Sequence, residues 1–429
     1  MTTTPDRNIR PAVHAIGPLR LESAATEQLA NGITLHTVSG GPSHLCRIGI
    51  LLPGGIMEQS EAGLYRAVAS LLPEGSVETP GKMMSDMLET NGAWTGSSVT
   101  THHTLVNIYC LDTVFTTILT LARQMVFTPE FAPDLTAKTL RQLSARSSVE
   151  RHRVMDNATH ALKERLYGEN SPMAQWIDPE RILFLTPDTL REAHDRRLDT
   201  SKMHIYLAGA VTEDMIDSVR GEFGGIETST EFSLAPVSMV ENLDGGEIFT
   251  EVEGAVQNAI VAAIPVPGRR HPDFYNLRFA AIALGGYFGS RLMANIREGK
   301  GLTYGIDAQL YAHPDRGYLQ IATQSDCHNT EGIITEIVAE IERLKDPATF
   351  SPDEMQRLSR FVLSSLASSL DTPFMRMDFL QTHEISETPA DYFAQQEAAI
   401  RALTPEILAS TARKYLDPTL LTFSIAGKR

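Results

Sequence analysis

One spacing recurs along this chain and limits what it can fold into. Thr186-Pro-Asp-Thr-Leu190 returns as Thr404-Pro-Glu-Ile-Leu408, Leu198-Asp-Thr-Ser as Leu416-Asp-Pro-Thr, and Leu207-Ala-Gly209 as Ile425-Ala-Gly427. Each pair is 218 residues apart (404 − 186, 416 − 198, 427 − 209). Three short matches at one offset imply a duplicated unit of about half the chain. Both copies close in the same way. A Thr N-cap followed by Pro opens a helix, and an apolar strand ends the unit: Met203-His-Ile-Tyr-Leu-Ala-Gly209 in one copy, Leu421-Thr-Phe-Ser-Ile-Ala-Gly427 in the other.

Strands also open each copy. Gly32-Ile-Thr-Leu-His-Thr-Val38 and Leu45-Cys-Arg-Ile-Gly-Ile-Leu-Leu52 serve the first, and Asn258-Ala-Ile-Val-Ala-Ala-Ile-Pro265 the second. Helical stretches lie between. Ser351-Pro-Asp-Glu354 has the form of a capping box and starts a helix with Met355, Leu358, Val362 and Leu366 on one face. The segment from Gly224 to Gly246 is rich in Ser, Thr, Glu and Gly and reads as a linker. The expected fold class is α+β: two duplicated domains, each a mainly antiparallel sheet with helices packed on one face. The expected division is an extension over 1–22, a domain over 23–224, a linker over 225–247 and a second domain over 248–429.

Composition narrows the function classes. A chain of 429 residues, 42% hydrophobic and 21% charged, matches soluble globular proteins with more than one domain. A net charge of −16 argues against nucleic acid, because phosphate binding needs a basic surface. Cys46, Cys110 and Cys327 are far apart and form no Cys-x-x-Cys, against a disulfide framework and a thiolate metal site. Met1 to Leu21 contains no apolar signal-peptide core, and no apolar run is long enough for a membrane span. No membrane partner is expected. The expected compartment is the cytoplasm, or the periplasm if a leader has been removed.

Two segments carry the chemistry. The first is Gly63-Leu-Tyr-Arg-Ala-Val-Ala-Ser-Leu-Leu-Pro-Glu-Gly-Ser76. The second runs from Gly286 through Ser290-Arg-Leu, Ile296-Arg-Glu and Gly301-Leu-Thr-Tyr304. The first segment resembles the zinc helix of the pitrilysin family of inverted-motif zinc peptidases, whose signature is His-x-x-Glu-His. There two His residues bind zinc and the Glu activates its water. Gly63 matches the family's leading Gly, and Gly75-Ser76 its closing Gly-Thr. That register puts Arg66 at the first His, Ala69 at the Glu and Ser70 at the second His. The family's third ligand, a Glu, falls by counting between Ser144 and Ser147. Arg146 is the best match there, and the window holds no acid. Arg has no free lone pair and stays cationic, Ala has no donor, and Ser is a poor zinc ligand. The plain alternative is an amphipathic helix that resembles the motif by chance.

The second segment weakens that alternative. Leu292, Met293 and Ile296 give the run from Phe288 to Ile296 helical spacing, and Gly299 and Gly301 permit a turn before an extended Tyr304-Gly-Ile-Asp-Ala-Gln-Leu310. In the family the matching Arg and Tyr contact the substrate backbone near the scissile carbonyl, where both donors stabilise developing negative charge. The resemblance therefore implies a zinc-free subunit of a heterodimeric metallopeptidase. Arg297 and Tyr304 would serve an active site completed by a zinc-bearing partner with His-x-x-Glu-His, and the substrate would be a peptide in an enclosed chamber. No cofactor is expected in this chain, which alone is not a catalyst. The competing reading is a non-catalytic scaffold subunit similar to respiratory-complex core proteins, or an α-type substrate-recognition subunit of a processing peptidase.

Other candidates are weaker. His383-Glu-Ile-Ser-Glu387 is one residue short of His-Glu-x-x-His and reads as a solvated helix end. His102 and His103 are adjacent on a strand and point to opposite faces, a poor chelate. His152 and His160 lie eight apart on a helical stretch and read as surface residues. Gly221-Glu-Phe-Gly-Gly225 and Gly285-Gly-Tyr-Phe-Gly289 lack the strand that a phosphate loop requires.

Overall fold

The computed structural model describes residues 14–41, 43–228, 230–241 and 243–429. Residues 1–13 of the expected N-terminal extension, and Ser229 and Asn242 of the expected linker, lie outside the described residues.

Alternating apolar runs fold into two sheets. The first contains β1 (Ala25–Gln28), β2 (Thr34–Ser39), β3 (Leu45–Pro53), β4 (Trp94–Val99), β5 (His103–Leu111) and β6 (His204–Gly209), in the order β1-β2-β6-β3-β5-β4. The second contains β7 (Gly246–Glu251), β8 (Gln257–Pro267), β9 (Ile306–Ala312), β10 (Arg316–Asp326) and β11 (Thr422–Gly427), in the order β7-β11-β8-β10-β9. Without β1 the two orders match strand for strand. Each holds one parallel pair, β2 with β6 and β7 with β11, and its other pairs are antiparallel.

In the first half the helices are α1 (Leu64–Leu71), α2 (Gly81–Thr90), α3 (Phe115–Phe127), α4 (Pro133–Glu150), α5 (Val154–Tyr167), α6 (Pro187–Asp195) and α7 (Glu213–Phe223). In the second they are α8 (Phe274–Gly285), α9 (Thr330–Leu344), α10 (Pro352–Ser368), α11 (Pro373–Ile385), α12 (Tyr392–Arg401) and α13 (Pro405–Tyr415). The sequence offset survives in three dimensions: α6 and α13 start 218 residues apart (405 − 187), as do β6 and β11 (422 − 204). The matching caps are made. Thr186 Oγ1 accepts from Thr189 N at 3.2 Å, and Thr404 Oγ1 from Ile407 N at 3.3 Å. Ser351 Oγ likewise accepts from Glu354 N at 3.1 Å. No described helix or strand falls between Phe223 and Gly246.

Each sheet buries one face under helices of its own half. In the first half, Ile48, Ile50, Val106, Ile108, Ile205 and Leu207 meet α1, α3 and α6. In the second, Ile260, Ala262, Ile264, Leu319 and Ile321 meet α8, α9 and α13.

The sequence does not announce what covers the other faces. Helix α5 leaves the first half and packs Ala158, Leu162 and Leu166 on Ala259, Val261 and Ala263 of β8, Tyr318 of β10 and Ala426 of β11. Helix α11 makes the reciprocal crossing, laying Phe374 and Met377 on Val38, Leu51, Tyr206 and Ala208 of the first sheet. These two helices are duplicates, ending 218 residues apart (385 − 167). Helices on one face was the expectation for each domain; the exchange adds a helix to the second face of each sheet. A strand side chain points to alternate faces, so Ala259, Val261 and Ala263 serve the crossing helix while their neighbours serve the home core.

The α11 crossing also carries charge. Arg47 of β3 is buried and its Nη1 lies 2.5 Å from Asp378 of α11. A guanidinium taken out of water needs such a partner.

Candidate functional site

Helix α1 keeps the frame expected of it. Gly63, at φ +91°, is its N-cap, and a Cβ there would lie 3.0 Å from both Ile177 and Ile182. Gly75, at φ +154°, would bring a Cβ within 2.7 Å of Gly81 N. Both glycines are thus explained by backbone conformation and packing. Arg66 is exposed, Ala69 is buried and contributes only a methyl, and Ser70 Oγ donates to the Arg66 carbonyl at 2.8 Å.

On α4, Arg146 points to solvent and pairs with Glu150 at 2.8 Å. The neighbouring Ser147 takes the inward place, donating to the Ile177 carbonyl at 2.5 Å. Arg66 has a second cation near it. Lys163 of α5 has its ammonium pushed below the ordinary lysine range, first by burial and then by Arg66. Lys163 was not legible as a neighbour, because α5 reaches this place only through the domain exchange. Two cations at the position of a metal ligand oppose a dication.

The second segment is built differently. After α8 the chain turns over residues 286–290, where helical spacing led us to expect helix from Phe288. It then winds into a π-helix, Met293–Gly299. Lys300 N bonds the Asn295 carbonyl at 3.0 Å, and Leu302 N bonds Ile296 O at 3.0 Å. Such wide turns are rare and recur at functional sites. Leu292 and Ile296 anchor the segment in the core. Gly301, at φ +63°, supplies the reversal. Thr303 is buried and its Oγ1 bonds Thr323 Oγ1 at 2.8 Å, while Asn329 Nδ2 and Ser325 Oγ hold the Leu302 carbonyl. With its neighbour pinned, Tyr304 projects outward and is 91% exposed.

The turn brings Arg297 and Tyr304 together. The Arg297 guanidinium carbon lies 5.6 Å from the Tyr304 ring and 5.1 Å from the Phe288 ring. Phe288 was not singled out as a site residue; nine residues before Arg297, its aromatic type gave no signal of the contact. Nearby cations have carboxylates: Arg291 pairs with Glu354 at 2.7 Å, Arg343 with Glu340 at 2.9 Å, and Lys300 with Glu336. Among the described residues Arg297 has none. A guanidinium held between two rings keeps its N–H groups for an acceptor that comes from outside.

Most of the remaining histidine candidates have partners, whereas the buried Nδ1 of His103 has none among the described residues. His102 Nδ1 meets Glu58 Oε1 at 2.7 Å, His160 Nε2 meets Glu164 at 3.1 Å, and His383 Nδ1 meets Thr388 Oγ1 at 2.8 Å. Burial pushes His383 down to about 4, so it is neutral at physiological pH.

Comparison with known proteins agrees with this architecture. Residues 185–360 match the family described as Peptidase M16 inactive domain. A solved M16 inactive domain from Pseudomonas fluorescens superposes with a TM-score of 0.82 at 20% identity, over 95% of this chain and 98% of that one. The two-domain α+β fold is therefore that of M16 inactive domains, and the pitrilysin-like resemblance is supported.

An uncharacterised zinc protease of Mycobacterium leprae is 31% identical over 144 residues, 33% of this chain and 32% of that protein. The match thus spans about a third of that relative's length. Subunit 1 of the mitochondrial cytochrome b-c1 complex of Bos taurus is 23% identical, with 80% of this chain and 74% of that protein covered. The non-peptidase homolog YmxG of Helicobacter pylori is 20% identical, with coverage of 88% and 87%. No helix among the described residues is long and apolar enough to cross a membrane.

Proposed function

We propose that this chain is the zinc-free subunit of a heterodimeric metallopeptidase, its halves 23–224 and 248–429 forming one side of a chamber that closes on a peptide. The observation that carries this reading is the combination of Arg66, Ala69 and Ser70 at the ligand positions with a half-buried Arg297, without a carboxylate among the described residues, beside an exposed Tyr304. The partner supplies His-x-x-Glu-His, its zinc and the attacking water. Arg297 and Tyr304 donate to the substrate carbonyl oxygen as it gains negative charge, and neither has to accept or release a proton for that.

The test is reconstitution with a homologous zinc-bearing subunit. Each subunit alone should hydrolyse an unfolded peptide poorly, and the mixture should do so well. Full activity of the mixture with Arg297→Ala and Tyr304→Phe would sink the proposal.

A second reading is a scaffold subunit without any substrate contact. The extended matches to the bovine complex subunit and to the non-peptidase homolog favour it. A partner that is equally active without this chain, yet binds it stably, would decide for the scaffold.

A further inference from the structure

Where α11 crosses onto the first sheet, it brings Glu384 against two histidines that are far away in sequence. His36 lies on β2 and His204 on the adjacent β6. His36 Nε2 is 3.1 Å from His204 Nδ1 and 3.1 Å from Glu384 Oε2, and His204 Nδ1 is 3.4 Å from Glu384 Oε1. We propose that His36, His204 and Glu384 form a divalent transition-metal site, with zinc as the favoured ion, that clasps the two halves of the chain together. The site is separate from helix α1, the catalytic position at which the chain is read as zinc-free, and does not depend on the peptidase reading.

Three features support it. First, the donor set is right. Two imidazoles and one carboxylate suit zinc and its first-row neighbours, and they leave a fourth position for water. Second, the spacing is right. Ligands about 2.0 Å from a tetrahedral zinc lie about 3.3 Å from one another; the nitrogen–nitrogen edge is 3.1 Å, and the two carboxylate oxygens lie 3.1 and 3.4 Å from one nitrogen each. Third, two of the three ligands have outer partners. Thr26 Oγ1 sits 3.2 Å from His36 Nδ1, and Tyr206 Oη lies 3.3 Å from Glu384 Oε2. A partner on the far ring nitrogen fixes the tautomer so that the near nitrogen faces the ion.

Hydrogen bonding alone serves this cluster poorly. With the His36 Nδ1 proton given to Thr26, His36 Nε2 is an acceptor facing the Glu384 carboxylate. A proton on His204 Nδ1 can then serve one of the edges that nitrogen makes, but the His36–Glu384 edge is left between two acceptors, whereas a cation serves all three. The rings are nearly parallel, 13° apart, with centroids at 5.4 Å, so the two nitrogens face each other across that edge. Binding would require each lone pair to swing by about 35° onto a tetrahedral centre. Burial grades from His36 (8% exposed side chain) through His204 (23%) to Glu384 (37%), so the site opens to water on the Glu384 side.

The test uses the full chain, stripped with a chelator and carrying Cys327→Ser to remove the exposed thiol. Zinc titrated by calorimetry should bind once per chain, and cobalt(II) should give the visible bands of a four-coordinate site. Glu384→Gln keeps size and hydrogen bonding on an accessible residue and should weaken zinc by at least tenfold. His204→Gln should abolish the cobalt bands. Thr26→Val, which touches no ion, should cost about 10- to 100-fold in affinity. Circular dichroism of each metal-free variant checks folding. Zinc affinity unchanged by both Glu384→Gln and His204→Gln, or a cobalt spectrum like that of the hydrated ion, would overturn the site. Peptidase assays play no part, so failure here leaves the proposed function standing, and the reverse also holds.

Discussion

The two halves repeat one fold but place opposite chemistry at their special positions. In the first, the helix with the zinc-peptidase frame carries Arg66, and the domain exchange adds the half-buried Lys163 beside it. In the second, the turn after α8 carries Arg297 between Phe288 and Tyr304 without a carboxylate among the described residues. A cation next to another cation repels a metal; a cation held by aromatic rings waits for an anionic oxygen. Duplication supplied two equal scaffolds, and the difference lies in a few side chains.

The crossing helices show the same contrast. Helix α5 meets the second half through apolar contacts and one neutral hydrogen bond, Tyr167 Oη to His313 Nε2 at 2.9 Å, whereas α11 meets the first through apolar contacts plus the charged Arg47–Asp378 pair and the His36–His204–Glu384 cluster.

Activity gives the largest expected effect. In the reconstituted complex, Arg297→Ala should lower kcat/KM by about 10²- to 10³-fold, the usual cost of losing an oxyanion donor, while Arg66→Ala should leave it near wild type. Comparable losses in both would erase the distinction between the halves. Restoring the motif by Arg66→His, Ala69→Glu and Ser70→His should not create a peptidase in the isolated chain, because the third acid is still absent.

Next comes the domain exchange. Leu162→Ala in α5 and Met377→Ala in α11 each remove a fully buried side chain and should each cost about 2–5 kcal/mol, measured by urea denaturation. A cost near zero at either position would mean that this crossing does not hold the halves together.

Acid should act through both halves, since burial also holds His383 of α11 at about 4. Burial holds His103 at about 4 and His194 at about 3, both below the ordinary 6.5. The native state therefore refuses protons that the unfolded chain binds. Stability is whole above pH 6.5 and declines as the pH falls towards the folded values, by about 1.4 kcal/mol per pH unit for each group. Denaturation midpoints between pH 7 and 4.5 should show this slope, and His103→Gln should reduce it.

The smallest effect is at the paired caps: Thr186→Ala and Thr404→Ala should each cost about 1 kcal/mol, read from thermal melts. Equal costs would extend the duplication from sequence to energetics.

Much of the architecture was open to reading. The 218-residue offset, the Thr-Pro helix starts and the apolar closing strands specify two α+β units, because caps and strand alternation are local physics. The meeting of Arg297 and Tyr304 was legible for the same reason: only a short Gly-containing turn separates them. Helix from Phe288 was not met, since Tyr287 to Ser290 turn before the wide helix begins.

The sequence by itself determined the duplication, the strands, the caps and the absence of His and Glu from helix α1, all carried by neighbours within a few residues or by the repeat. Only the tertiary structure decided that α5 and α11 exchange partners, that Lys163 stands by Arg66, and that Glu384 closes on His36 and His204. Those contacts join residues up to 348 positions apart (384 − 36). Nothing local encodes such contacts, because they form only once both sheets offer a second apolar face for a helix to cover.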